Sequence, residues 1–109
     1  MKLSVILPTY DNQEISIVHA REVMNSTRVP DEIIVVNDGG SPDLLDKLKG
    51  LDFRCRFIYA RIEQDIPWNY PGACNLGVFL SRGEILAFED NDNIPSRNYY
   101  EQALEYLEK

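Results

Sequence analysis

Four short apolar runs, each stopped by polar residues and followed by a helical pattern, constrain this chain more than any other feature. The clearest is Glu32-Ile33-Ile34-Val35-Val36, where consecutive rather than alternate residues are apolar. A strand with one wetted face alternates. A strand covered on both faces does not, and such strands build parallel sheets. Leu3-Ser4-Val5-Ile6-Leu7 reads the same way, with Pro8 expected to stop it. Arg56-Phe57-Ile58-Tyr59-Ala60 is a shorter third strand, and Glu84 to Phe88 is a buried fourth.

The intervening segments read as helices. Glu14 to Met24 carries Ile15, Val18, Val23 and Met24 at roughly helical spacing, flanked by Ile17 and Ala20. Asp43 to Lys49 has Ser41 as expected N-cap, Pro42 at the first position and Gly50 closing it. Pro71 to about Ser81 places Ala73, Leu76, Gly77 and Leu80 on one face, small enough for close approach to a sheet or a ligand. Ser96 to Lys109 has Ser96 as expected N-cap and Tyr99, Tyr100, Ala103, Leu104 and Leu107 as apolar positions. Strand and helix alternating four times predicts one α/β domain over 1–109, an open, mainly parallel sheet with flanking helices.

Ligands of such sheets bind beyond the carboxyl ends of the strands. Pro8-Thr9-Tyr10-Asp11, Asp38-Gly39-Gly40-Ser41 and Asp90-Asn91-Asp92-Asn93 each follow a strand, so they are expected to meet at one rim. Glu89, Asp90 and Asp92, with two amides between and after them, form the densest cluster. Carboxylates crowded at the end of an apolar strand call for a positive partner. A divalent cation suits their hard oxygens and would bridge to phosphates through its open positions.

The net charge of −7 disfavours a nucleic-acid backbone or an anionic membrane surface. It leaves a phosphate ligand open, because a bound metal reverses the local sign. No apolar run approaches the roughly 18 residues of a membrane span, and Met1 to Leu7 is too short for a signal-peptide core. The expected location is the cytoplasm or the cytoplasmic face of a membrane. Cys55 and Cys74 have no partners at metal-ligand spacing and read as reduced thiols. His19, the one histidine, lies far from the acids in sequence and reads as a surface or packing residue.

Taken together, Val5-Ile6-Leu7-Pro8-Thr9-Tyr10, Glu32-Ile33-Ile34-Val35-Val36-Asn37-Asp38-Gly39, Gly72-Ala73-Cys74-Asn75-Leu76-Gly77 and Gly83-Glu84-Ile85-Leu86-Ala87-Phe88-Glu89-Asp90-Asn91-Asp92 resemble the GT-A glycosyltransferases of family 2, in the family's order and with similar spacing. The resemblance implies the Rossmann-like, nucleotide-sugar-binding half of a GT-A domain. It implies inverting, metal-dependent transfer from a nucleoside-diphosphate sugar, with uridine favoured, to an unidentified glycan, lipid or protein acceptor. Pro8, Thr9 and Tyr10 would line the base and ribose, and Asp38 would accept a hydrogen bond from a uracil ring nitrogen. Gly72 to Asn75 would pass beside the donor sugar and diphosphate. Asp90-Asn91-Asp92 would be the DxD motif, with Asp92 coordinating Mn²⁺ or Mg²⁺ and Asp90 contacting the ribose or a metal-bound water. The family's acceptor-binding part and catalytic base come later than Lys109, so no residue here is assigned that base. The family usually has Asp where this chain has Asn37, and Arg where it has Cys74.

Plainer readings stand beside these. Asp90 and Asp92 also suit a solvated acidic turn capping the last helix. A calcium loop running from Asp90 to Glu101 is opposed by Ile94 and Pro95. Asp38 with its glycines suits a turn that only launches a helix, and Trp68 and Tyr70 suit aromatics anchoring a loop on the sheet edge as well as sugar stacking. The GxGxxG spacing of a dinucleotide fold is absent, and Pro8 to Asn12 lacks the basic glycine-rich loop of a nucleotidyltransferase. The alternative class is a free-standing nucleotide- or metal-binding module without transferase activity of its own. An open sheet edge would favour self-association.

Overall fold

The computed structural model describes all residues from Met1 to Lys109. In chain order the elements are β1 (Leu3–Thr9), α1 (Gln13–Met24), β2 (Glu32–Asp38), α2 (Leu44–Leu48), β3 (Arg56–Ile62), α3 (Tyr70–Leu80), β4 (Ile85–Phe88) and α4 (Tyr99–Leu107). The strands form one sheet in the order β3-β2-β1-β4, and every pairing is parallel. The chain adds β2 and β3 on one side of β1, then crosses to add β4 on the other. That reversal opens a crevice beyond the carboxyl ends of β1 and β4.

The continuous apolar runs follow from a sheet covered on both faces. Leu3, Val5, Leu7, Ile33 and Val35 point to one side, into a core with Ala20, Val23 and Met24 of α1, Leu44 and Leu48 of α2, and Tyr100 and Leu104 of α4. Ile6, Ile34 and Val36 point to the other, against Ala73 and the half-buried Leu76 and Leu80 of α3. The small face of α3 therefore meets the sheet. A side chain at Gly77 would collide with Ile6 Cγ2, so close helix–strand approach requires glycine there.

Several local expectations are corrected. Pro8 does not end β1; it pairs opposite Val36 inside the strand. Residues of a parallel strand point their polar groups alternately to the two neighbours. Ile6 O accepts from Glu89 N–H at 2.9 Å, so the even positions of β1 face β4. By Pro8, β4 has already ended, and no N–H is required. Neither Ser41 nor Ser96 caps a helix. α2 starts after Asp43 and α4 after Asn98, with no side-chain cap bond at either, and Pro42 precedes α2. β3 runs two residues further than expected, to Ile62. β4 is an edge strand, half-buried rather than buried, with Phe88 exposed. On α1 the inward stripe is Ser16, His19, Ala20, Val23 and Met24, while Val18 faces solvent.

Candidate functional site

The three polar loops do meet. Pro8, Thr9 and Tyr10 after β1, Asp38 at the end of β2, and Asp90, Asn91 and Asp92 after β4 line one cleft of about 550 Å³. Its remaining wall is the segment from Asp65 to Tyr70, which joins β3 to α3. Gly72 and Asn75 are not among the lining residues. Gly72 lies against the Asn69 amide, and Asn75 is exposed on α3. Asn69 and Tyr70 occupy the wall in their place.

The floor is built by β2 and its turn. Asp38 is buried, lines the cleft and accepts from Asn69 Nδ2 at 2.9 Å through one oxygen. Gly39 adopts φ +77°, and its N–H donates to Ile62 O at 3.0 Å. An added Cβ would fall 2.9 Å from Asp65 Cα, so the turn and the Asp65 segment close on each other only through glycine. Arg61 Nε donates to Gly40 O at 3.0 Å and fixes the turn from β3. Asn37 is buried beneath it. Its Nδ2 donates to Ser41 O at 2.8 Å and lies 2.9 Å from Tyr59 Oη, while its Oδ1 accepts from Gly40 N–H at 2.9 Å. A carboxylate could accept but not donate, so the amide suits this pocket where an Asp would not.

The five polar residues after Phe88 divide. Glu89 turns inward, buried, and accepts from Tyr100 Oη. Burial and this carboxylate hold the Tyr100 phenol far above its ordinary range, so it remains a donor. Asp90 and Asp92 turn outward, exposed, on a tight turn closed by Asn93 N–H to Asp90 O at 3.1 Å. This turn caps no helix, because α4 begins at Tyr99 with Asn98 before it. A calcium loop ending at Glu101 is also ruled out: Glu101 Oε2 accepts from Thr27 Oγ1 at 2.8 Å.

His19, read from sequence as a surface or packing residue, is fully buried directly behind this turn. Its Nδ1 lies 3.1 Å from Asn91 O, and its Nε2 lies 3.7 Å from Glu89 Oε1, beyond hydrogen-bonding reach, with no other partner. Asn91 Nδ2 donates to Ser16 Oγ at 3.2 Å. Sequence reasoning missed Ser16, His19 and Asn69. The available signal was two polar residues three apart, which share a helix face, inside an otherwise apolar pattern.

The far wall is open. Trp68 has φ +57° and is 97% exposed, so it anchors nothing on the sheet edge. Tyr10 Oη donates to Asp65 Oδ2 at 2.9 Å, tying the two sides of the cleft together and raising the Tyr10 phenol above its ordinary value. Burial holds the Tyr70 phenol well above the usual range, with Cys74 and Asp90 adding to the effect. The Cys74 thiol is raised first by burial and further by Asp90 and Asp38, so it stays neutral and supplies no charge to the cleft. Thr9 Oγ1, at the cleft's base, is buried without a partner.

Four carboxylates line the cleft, those of Asp38, Asp65, Asp90 and Asp92, and no Lys or Arg does. No three His, Cys, Asp or Glu side chains gather to hold a cation by themselves. Asp90 and Asp92 carry hard oxygens of the type Mg²⁺ and Mn²⁺ take, and two carboxylates alone do not complete such an ion's shell.

A parallel sheet with a polar cleft at its switch point defines an open α/β protein whose ligand site is expected at that rim. The family profile described as glycosyl transferase family 2 matches residues 4–109, and the chain belongs to that family. An uncharacterized glycosyltransferase of Rickettsia bellii is 32% identical over 108 residues, covering 99% of this chain and 15% of the relative. The fold superposes on S. aureus TarS 1-349 in complex with UDP, with a TM-score of 0.81 at 23% identity, over 99% of this chain and 32% of that one. The complex of the same protein with UDP-GlcNAc gives 0.80 at 23% identity, over 99% and 31%. The chain thus spans about a third or less of the proteins it matches here. The fold is that of the GT-A glycosyltransferases.

Proposed function

We propose that the cleft binds a nucleoside-diphosphate sugar together with Mn²⁺ or Mg²⁺, as the donor-binding part of an inverting glycosyltransferase. The carrying observation is the charge of the lining: four carboxylates and no basic side chain. A diphosphate would be repelled by that surface alone, and a cation between them removes the repulsion. Asp92 is the proposed metal ligand, with Asp90 beside it on the metal or the ribose. The cation would offset charge on the departing nucleoside diphosphate. Pro8, Thr9 and Tyr10 would line the base and ribose, and the free oxygen of Asp38 suits a ring N–H such as that of uracil. Gly72 and Asn75 are proposed to act behind the wall formed by Asn69 and Tyr70, toward the diphosphate side. In this reading residues 1–109 supply the donor site, and the acceptor site and catalytic base lie outside them.

Calorimetric titration with UDP and with GDP, each with and without Mn²⁺, tests this. UDP is expected to bind at least about tenfold tighter with the metal, a gain of about 1.4 kcal/mol, and Asp92→Asn is expected to remove most of that gain. Equal affinity with and without metal would overturn the reading.

A further inference from the structure

We infer that His19 is a positioning residue for the acidic turn, holding Asp90 and Asp92 at the cleft through a hydrogen bond to the backbone between them. This rests on the proposed role of those two carboxylates.

The turn is pinned on both sides of Asp90. Glu89 is fixed by its N–H to Ile6 O at 2.9 Å and by the Tyr100 hydroxyl on its carboxylate. Asn91 is fixed at its carbonyl by His19 Nδ1, 3.1 Å away, and at its amide by Ser16 Oγ, 3.2 Å away. Ser16 Oγ in turn donates to Asn12 O at 2.8 Å, so both anchors belong to the first turns of α1. A carbonyl only accepts, so Nδ1 carries the proton. Two exposed carboxylates are thereby attached to a buried, fully packed helix face. A site that must present charge to within about 0.5 Å needs such a backing. Hydrophobic packing alone would have placed an apolar side chain at a position with no solvent exposure. The one hydrogen bond of this buried imidazole goes to the Asn91 carbonyl, and its other nitrogen stands 3.7 Å from Glu89 Oε1, so both of its neighbours lie on the segment that carries Asp90.

Two variants of the 109-residue chain separate this role from filling space. Asn places its amide nitrogen where Nδ1 lies, so His19→Asn keeps the donor, whereas His19→Leu keeps volume and loses it. The readouts are amide hydrogen exchange along Asp90–Asn93 and the Mn²⁺-dependent gain in UDP affinity. In His19→Leu, exchange at the turn is expected to rise about tenfold, the scale of one lost hydrogen bond, with β1 and β2 unchanged. The Mn²⁺ gain is expected to fall by a similar factor while metal-free affinity stays. His19→Asn is expected to resemble wild type in both. Wild-type exchange in His19→Leu, or an Asn variant as disturbed as the Leu one, would overturn the inference. Should His19→Leu not fold, Ser16→Ala removes the neighbouring anchor with little change in volume. It must then raise exchange at the same turn, and unchanged exchange there sinks the backing role of α1. A wild-type protein without any Mn²⁺ gain defeats the cation reading, while the exchange data still decide the role of His19.

Discussion

The two ends of the sheet carry the same kind of side chain and treat it in opposite ways. At the amino ends of the strands, acids are paired. Glu32 is buried and accepts from Ser4 Oγ at 2.5 Å, Arg82 N–H at 2.5 Å and Arg56 at 2.8 Å. Asp31 accepts from Leu3 N–H at 2.7 Å and Arg28 at 3.1 Å. Burial pushes both carboxyls upward, but these bonds and the arginine charges outweigh it and hold both below their ordinary values. At the carboxyl ends, Asp38, Asp65, Asp90 and Asp92 share a cleft with no cationic side chain, and none of them is in an ion pair. The contrast separates carboxylates with cationic partners from carboxylates with none.

The largest loss is expected at the paired end. Glu32→Gln substitutes an N–H₂ where donors converge and removes the charge facing Arg56, which should cost about 2–3 kcal/mol in denaturant unfolding. The pH dependence has a definite sign. A carboxyl depressed in the folded state contributes stability that is full above its ordinary value of 4.5 and is lost as pH falls through its lower folded value. Wild type should lose stability over that acid range, and Glu32→Gln should show a flatter limb. Equal acid limbs would contradict the pairing described for Glu32.

At the unpaired end, adding a carboxylate should hurt and removing one should not. Asn37→Asp, which installs the family's usual residue, buries another charge and loses the donor to Ser41, with an expected cost of about 2 kcal/mol. Asp90→Asn with Asp92→Asn should change stability by no more than about 0.5 kcal/mol while abolishing the Mn²⁺-dependent gain in UDP affinity. A large stability loss in that double variant would make the turn structural and erase the contrast between the ends.

The smallest effects belong to the open wall. Tyr10→Phe removes one exposed hydrogen bond to Asp65, so stability should hold within about 0.5 kcal/mol, while amide exchange in the Asp65–Trp68 segment quickens. Trp68 is the only tryptophan, and its emission reports that wall directly. If its ring stacks on a donor sugar, UDP-GlcNAc with Mn²⁺ should shift the emission and UDP with Mn²⁺ should not. The same response to both would place the ring away from the sugar.

Much of this architecture is legible in the sequence. Continuous runs such as Ile33 to Val36 required cover on both faces, and strand–helix alternation then required a parallel sheet. The convergence of Thr9, Asp38 and Asp92 followed from topology alone, since loops after parallel strands share one rim. Local reading failed where a residue's fate depended on a partner distant in sequence. Pro8 stayed in β1 because β4 is short, a fact about another strand. Ser41 and Ser96 looked like caps because propensity does not say where a helix becomes packed. Glu89, Asp90 and Asp92 formed one acidic cluster in sequence, yet Glu89 turned inward, because Tyr100 waits on α4.

The sequence by itself determined the strand and helix order, the sheet class and the rim at which the polar loops gather. Those depend on periodicity and chain connectivity, which are local and directional. The tertiary structure alone decided which carboxylates are neutralised and which are left bare. It also placed the lone histidine behind the acidic turn and left Trp68 standing in solvent. Burial and most of the pairing are set by distances between groups far apart in sequence: Glu32 meets Ser4, Arg56 and Arg82, and His19 meets Asn91, partners that no short window of sequence contains.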